Sequence, residues 1–133
     1  QPIIKNMDSV IRAYVNSLYW INNKLYDIES RNLGFISNLQ TQIESGPLPT
    51  PRSKPVVALG EKLIEIANRQ LNIMEKEANK LHGPQREMAS KGIDASRRQI
   101  EKIDRMIKGE TRGVTVQKLF SEFSSLMGAN RGL

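Results

Sequence analysis

The 133-residue chain contains no cysteine and only one histidine. The absence of thiols excludes disulfides, thiolate metal sites and cysteine nucleophiles. A single histidine, His82, cannot supply the paired Glu-x-x-His ligands of a two-metal bundle site. Its place beside Gly83 instead favours hydrogen bonding to the last carbonyls of a preceding helix. We therefore expect neither a metal nor another cofactor.

Aromatic residues and long apolar runs are also scarce. Three Phe, three Tyr and one Trp leave the core to be built from aliphatic side chains, as in packed helix seams. No stretch approaches the ~20 apolar residues that a membrane span requires, and strand-like segments are too short to form a sheet. The composition predicts one all-α domain over residues 1–133, without a membrane span.

A seven-residue apolar repeat runs through the first forty residues. Ten of its twelve positions are apolar. The first set is Ile4, Ile11, Leu18, Leu25, Asn32 and Leu39, and the second is Met7, Tyr14, Ile21, Ile28, Phe35 and Gln42. This spacing predicts a long, coiled-coil-like helix over residues 1–45 that packs a stripe of side chains against other helices. Because the repeat continues past Gly34, we expect one helix with at most a bend there.

Proline and glycine divide the rest of the chain. Three prolines within residues 46–54 predict a linker, and Ser53 is placed to cap the helix that follows. A Gly-Pro pair after His82 predicts an antiparallel hairpin of two helices over residues 55–108. The apolar stripe predicted for the second helix of the hairpin begins at Met88. Residues 114–128 are predicted to form a short helix capped by Thr115, with apolar positions Val116, Leu119, Phe120, Phe123, Leu126 and Met127. The predicted fold is an all-α bundle of three to four helices.

Catalytic signatures are missing, although two carboxylates lie close together. Glu61 and Glu65 are four residues apart and share a helix face, as paired catalytic acids do. Arg69, four residues beyond Glu65, favours an ordinary surface ion pair instead. The chain has no phosphate-binding glycine loop, nucleophile elbow or HExxH sequence. We therefore predict that it is not an enzyme.

A net charge of +6 favours acidic partners, and the surplus lies in the second half of the chain. A nucleic-acid interface is one interpretation of the third predicted helix, through Arg97, Arg98, Lys102, Arg105 and Lys108. The other is a solvated face whose charges pair along the helix, Asp94 with Arg98, Arg97 with Glu101, and Glu101 with Arg105. Because signs are mixed and stacking aromatics are absent, the solvated face is favoured.

Large side chains gather on the first predicted helix, and they are the residue types that dominate protein interfaces. They are equally consistent with a broad core face. The predicted docking residues are Tyr14, Leu18, Tyr19, Trp20, Ile21 and Leu25. Since the first helix is longer than either hairpin helix, part of its stripe would need a second copy or another protein to cover it.

These patterns predict a non-catalytic helical protein interaction module that associates with itself or with another protein. A nucleic-acid-binding helical domain is the first alternative. The start at Gln1 and the missing cysteines suggest a second, an exported component of a secretion or surface apparatus. The residues do not indicate a cellular location.

Overall fold

A computed structural model of the chain describes the backbone at Arg12 and over residues 22–132, and the side chains at Arg12 and over residues 30–127. Over these residues the backbone is mostly helical, the connections are turns, bends or irregular segments, and no strand occurs. Four helices follow one another, namely α1 Asn22–Ser45, α2 Lys54–Ala78, α3 Gly83–Ile107 and α4 Val116–Gly132. The all-α helical bundle predicted from composition and periodicity is confirmed.

The chain between α1 and α2 is organised by hydroxyl groups as well as by proline. Residues 46–53 are not helical. Ser53 is the N-cap residue of α2, with Pro55 in the first turn, but its side chain makes no cap hydrogen bond. Its Oγ instead accepts a hydrogen bond from the Thr50 N–H at 2.9 Å. Ser53 therefore tightens the turn before the helix and leaves the helix N-terminus without a side-chain cap.

The turn between α2 and α3 corrects the role predicted for His82. The second helix ends at Ala78, four residues before the histidine. His82 has extended backbone angles, occupies the N-cap position of α3 and makes no side-chain cap bond. Gly83 follows with φ +61°, in the left-handed region that favours glycine. The glycine therefore turns the chain into α3, and the predicted capping of α2 by His82 is wrong.

The second helix is the centre of the packing. It contacts α1, α3 and α4, and α4 also packs on α3, whereas α1 contacts α2 alone among the described helices. The core is aliphatic apart from two phenylalanines of α4, Phe120 and Phe123. Two polar side chains, Gln70 of α2 and Ser96 of α3, are buried within it. The arrangement is a three-helix unit, α2 to α4, with α1 laid along one side of α2.

The buried stripe of α1 differs by one residue from the predicted repeat. Ile36, Leu39 and Ile43 are buried, whereas Phe35 is 45% exposed and Gln42 is also exposed. Both sets fit helical spacing around Leu39, so the repeat alone does not choose between them. Packing against α2 favours the aliphatic set. The Phe35 ring lies at the edge of the contact, 5.1 Å from the Lys62 Nζ.

Apolar spacing predicted the buried face of α4 completely and that of α3 only in part. Met88 was expected in the α3 stripe but is 73% exposed, while Met106 lies in the core. In α4 every predicted apolar position is buried, namely Val116, Leu119, Phe120, Phe123, Leu126 and Met127. The predicted end of this helix at residue 128 is too early, because α4 continues to Gly132.

Candidate interaction surfaces

Most of the predicted docking residues lie outside the described part of the chain. They are Tyr14, Leu18, Tyr19, Trp20 and Ile21. The structure describes the backbone of Leu25, which lies in α1, but not its side chain. Docking through these residues therefore stays a prediction.

The described outer face of α1 is mostly polar but carries no charge between Arg31 and Glu44. Two of its hydroxyl groups bond to their own helix. The Thr41 Oγ1 donates to the Ser37 carbonyl at 3.1 Å, and the Ser45 Oγ donates to the Thr41 carbonyl at 2.7 Å. The part of α1 between Arg31 and Glu44 therefore packs against α2 on one side and has an uncharged surface on the other.

Three of the five cations proposed for nucleic-acid contact are held by carboxylates. The Arg97 Nη2 donates to the Glu75 Oε2 and to the Asn72 Oδ1, both at 3.2 Å, which ties α3 to α2. The remaining two ion pairs join Lys102 to Glu122 at 3.0 Å and Lys108 to Asp104 at 2.7 Å. Most of this charge is therefore used within the bundle.

The two remaining cations are Arg98 and Arg105, which are exposed. The predicted pairing of Arg98 with Asp94 and of Glu101 with Arg97 and Arg105 is wrong. The structure instead pairs Arg97 with α2, and no described residue neutralises Arg98 or Arg105. A spacing of four residues permits a pair on one helix, but a carboxylate on a neighbouring helix competes with it.

Glu122 is the most enclosed of the ion-paired carboxylates. It accepts hydrogen bonds from the Lys102 Nζ at 3.0 Å and the Gln99 Nε2 at 3.3 Å, so it joins α4 to α3. Partial burial raises the pKa of this carboxyl, but the bonds from Lys102 and Gln99 together outweigh burial and lower it. Glu122 is thus held ionised as part of the contact between helices.

Of the two carboxylates considered for catalysis, Glu61 is exposed and Glu65 is ion-paired. The Arg69 Nη1 donates to the Glu65 Oε1 at 3.1 Å, as the spacing predicted, and the Lys62 Nζ lies 3.1 Å from the Glu65 Oε2. The hydrogen bonds from Arg69 and Lys62 lower the pKa of Glu65. A carboxyl with a lowered pKa is a poor proton donor near neutral pH. Glu65 therefore belongs to a surface ion-pair network on α2.

Two close contacts, one at the end of α3 and one in the core, had no signal in the sequence. The Arg52 Nη1 donates to the Ile107 carbonyl at 2.6 Å, joining the segment before α2 to the end of α3. Gly60 is buried where α2 meets α3 and α4, and a Cβ there would lie 2.6 Å from the Ile107 Cδ1 and 3.6 Å from the Phe123 Cε2. Both depend on residues far apart in sequence, so periodicity could not reveal them.

A shallow cleft of about 110 Å³ lies near the α2–α3 turn. Its lining residues are Glu75, Ala78, Asn79, Arg86, Ser90, Ile93 and Asp94. The Arg86 Nη2 and the Asn79 Oδ1 are 3.5 Å apart across it. Within the described residues, no three His, Asp or Glu side chains form a group able to hold a metal ion. None of the helices over these same residues is both long and apolar enough to cross a membrane.

Comparison with known proteins gives one short relationship. No family model matches the chain, and no solved structure matches it. A segment of 45 residues, 34% of the chain, is 38% identical to an uncharacterized protein of Acanthamoeba polyphaga mimivirus. The match spans 3% of the length of that relative. This is a likeness to a small part of a much longer protein.

Proposed function

We propose that the chain is a non-catalytic helical interaction module that docks through the apolar stripe of its first helix. The observation that carries the proposal is the position of α1, which contacts α2 alone among the described helices. Its buried side chains Ile36, Leu39 and Ile43 account for one side of the helix. The stripe predicted from Leu18 to Leu25 precedes them in sequence and is flanked by Tyr19 and Trp20, residue types that interfaces favour.

The charges of the described residues support a binding role over catalysis. Glu65 and Glu122, whose pKa values are lowered, are each held by cations of the bundle. Glu122 stabilises the contact between α3 and α4, Glu65 is paired within α2, and neither is a proton donor near neutral pH. Apolar docking by a helix needs no such donor, because affinity comes from burial of the stripe and charges at its edge adjust the rate.

The first partner to be tested is a second copy of the chain. Trp20 is the only tryptophan and belongs to the predicted docking set, so its emission reports on that segment directly. As protein concentration rises, the emission should shift to shorter wavelength as the indole leaves water. L18D combined with L25D should abolish the shift, because it places charge in the stripe.

N38D combined with Q42D is the matched control, because both side chains are exposed on α1, lie far along the chain from the predicted docking set and receive the same new charge. The control should retain the wild-type shift. An emission maximum that does not change with concentration, or a shift lost equally in both double variants, would contradict self-docking through this stripe.

Nucleic-acid binding is the rival function, and the exposure of Arg98 and Arg105 is what favours it. It is the weaker candidate because Arg97, Lys102 and Lys108 already pair with carboxylates. A salt titration of binding to generic duplex DNA separates the two. Affinity that falls steeply with salt and is reduced by R98Q with R105Q would support the rival. Absence of binding at low salt would remove it.

A further inference from the structure

The four described helices do not all contact one another. The α2, α3 and α4 helices each touch the other two, so they enclose a core without help from α1. Among the described helices α1 touches only α2, and its described side chains contribute Ile36, Leu39 and Ile43 to the buried set, with Leu33 partly buried beside them. Among the described residues, α1 has one neighbouring helix and three buried side chains, the fewest of the four helices, so it should open at the lowest free energy.

The segment joining α1 to α2 is hydrogen-bonded only near its two ends, and at its start the Gly46 N–H donates to the Gln42 carbonyl of α1 at 3.1 Å. Arg52 bonds the end of α3, and Thr50 and Ser53 bond each other, so the chain from Thr50 onwards belongs to the three-helix unit. Before Thr50, Leu48 is 79% exposed, and residues 47–49 make no hydrogen bond with the described part of the chain. The joint between the two parts therefore lies at residues 46–49.

We propose that α1 is a separate cooperative unit, which undocks from an intact α2–α4 core by rotation about residues 46–49. Undocking breaks the contact with α2 and leaves the contacts among α2, α3 and α4 in place. The open form exposes the apolar side chains of α1 together with the face of α2 that they cover. This inference concerns the chain by itself and holds or fails independently of any docking partner.

Hydrogen exchange measured by peptide mass spectrometry on the full chain tests the proposal. Amide protection in α1 should be at least about tenfold lower than in α2 and α3, because a subglobal opening releases α1 alone. Two matched variants separate the units, since Ile36 and Ile103 are both fully buried, one in α1 and the other in α3. Each is changed to valine, which removes one carbon atom and keeps the protein folded.

I36V should lower protection in α1 by about two- to tenfold, the range expected for such a truncation. I103V should lower protection in α3 and α4 by a similar factor and leave α1 unchanged, because Ile103 stays packed whether α1 is docked or open. Equal protection of α1 and α3 in the wild type, or a parallel fall of both in I103V, would overturn the proposal. Either result would show that all four helices open together.

Discussion

The contact at Gly60 gives a prediction whose sign depends on tertiary packing. Alanine normally stabilises a helix interior by roughly 1 kcal/mol relative to glycine. At Gly60, however, the new Cβ would lie 2.6 Å from the Ile107 Cδ1 and 3.2 Å from its Cγ1, whereas carbon atoms pack best at about 3.5–4.0 Å. Forcing a methyl group into a packed core costs about 1–3 kcal/mol. We therefore expect G60A to destabilise the fold by up to about 2 kcal/mol.

The matched control is Gly34, which lies inside α1 and where an added Cβ would have no neighbouring atom within 4 Å. G34A gains helix propensity without overlap and should stabilise its helix by up to about 1 kcal/mol. The assay is urea unfolding followed by circular dichroism, with the midpoint and slope compared between variants. G60A should lower the urea midpoint of the α2–α4 core, whereas G34A should raise the urea concentration at which α1 loses its helix.

The source of the Gly60 penalty is tested by shortening its neighbour. I107V removes the Cδ1 atom and by itself should cost about 0.5–1.5 kcal/mol. In the G60A background that removal relieves the overlap, so the double variant should be more stable than the sum of the two single changes by about 1 kcal/mol. Additive effects, or a G60A protein as stable as G34A, would refute the packing argument.

Three further predictions concern polar contacts. Replacing Arg52 by alanine removes the bond to the Ile107 carbonyl and should cost about 1 kcal/mol in urea unfolding, with R52K recovering part of the loss. Stability should fall as pH drops below 4.5, because the lowered pKa of Glu122 means that the folded chain binds fewer protons than the unfolded chain. E122Q should reduce this loss of stability at low pH. A pH profile of stability identical to that of the wild type would contradict the prediction. T115A should cost about 1 kcal/mol of stability in thermal melts, because it removes the cap of α4. S53A should cost less, since the Ser53 side chain caps no helix. Equal losses of stability in the two variants would contradict this difference in capping.

The pH prediction follows from the direction of the pKa shift. Above the unfolded value of 4.5 the ionised Glu122 stabilises the fold fully through Lys102 and Gln99. As pH falls through the lower folded value, the carboxyl is protonated and that stabilisation is lost. Glu65 shifts in the same direction, but its side chain is about half exposed and solvent screens it, so its share should be smaller.

Sequence periodicity predicted the helical architecture and failed where two patterns were equally regular. In α4 the apolar residues occupy one face only, so Phe120 and Phe123 could be assigned to the core from spacing alone. In α1 both Phe35 and Ile36 fit around Leu39, and only the approach of α2 decides which is buried. Local spacing predicts that a helix is amphipathic but leaves its rotation uncertain by about one residue.

Charge pairing was the least predictable feature of the candidate surface. The pair between Glu65 and Arg69 was predicted correctly because both partners lie on one helix and no other cation or carboxylate displaces them. Arg97 bonds across to Glu75 because folding places α2 beside α3, which no sequence spacing records. Contacts at Arg52 and Gly60 share that origin, since their partners lie at the far end of α3 or in α4.

Docking through the first helix is tested most directly by light scattering of the full chain over a range of concentrations. With a second copy as partner, the wild type should show a mass above the 15.1 kDa of one chain, and L18D combined with L25D should reduce the mass to that value. N38D combined with Q42D should keep the higher mass. A wild-type mass of one chain at every concentration, or equal masses for the two double variants, would contradict self-association through the stripe from Leu18 to Leu25.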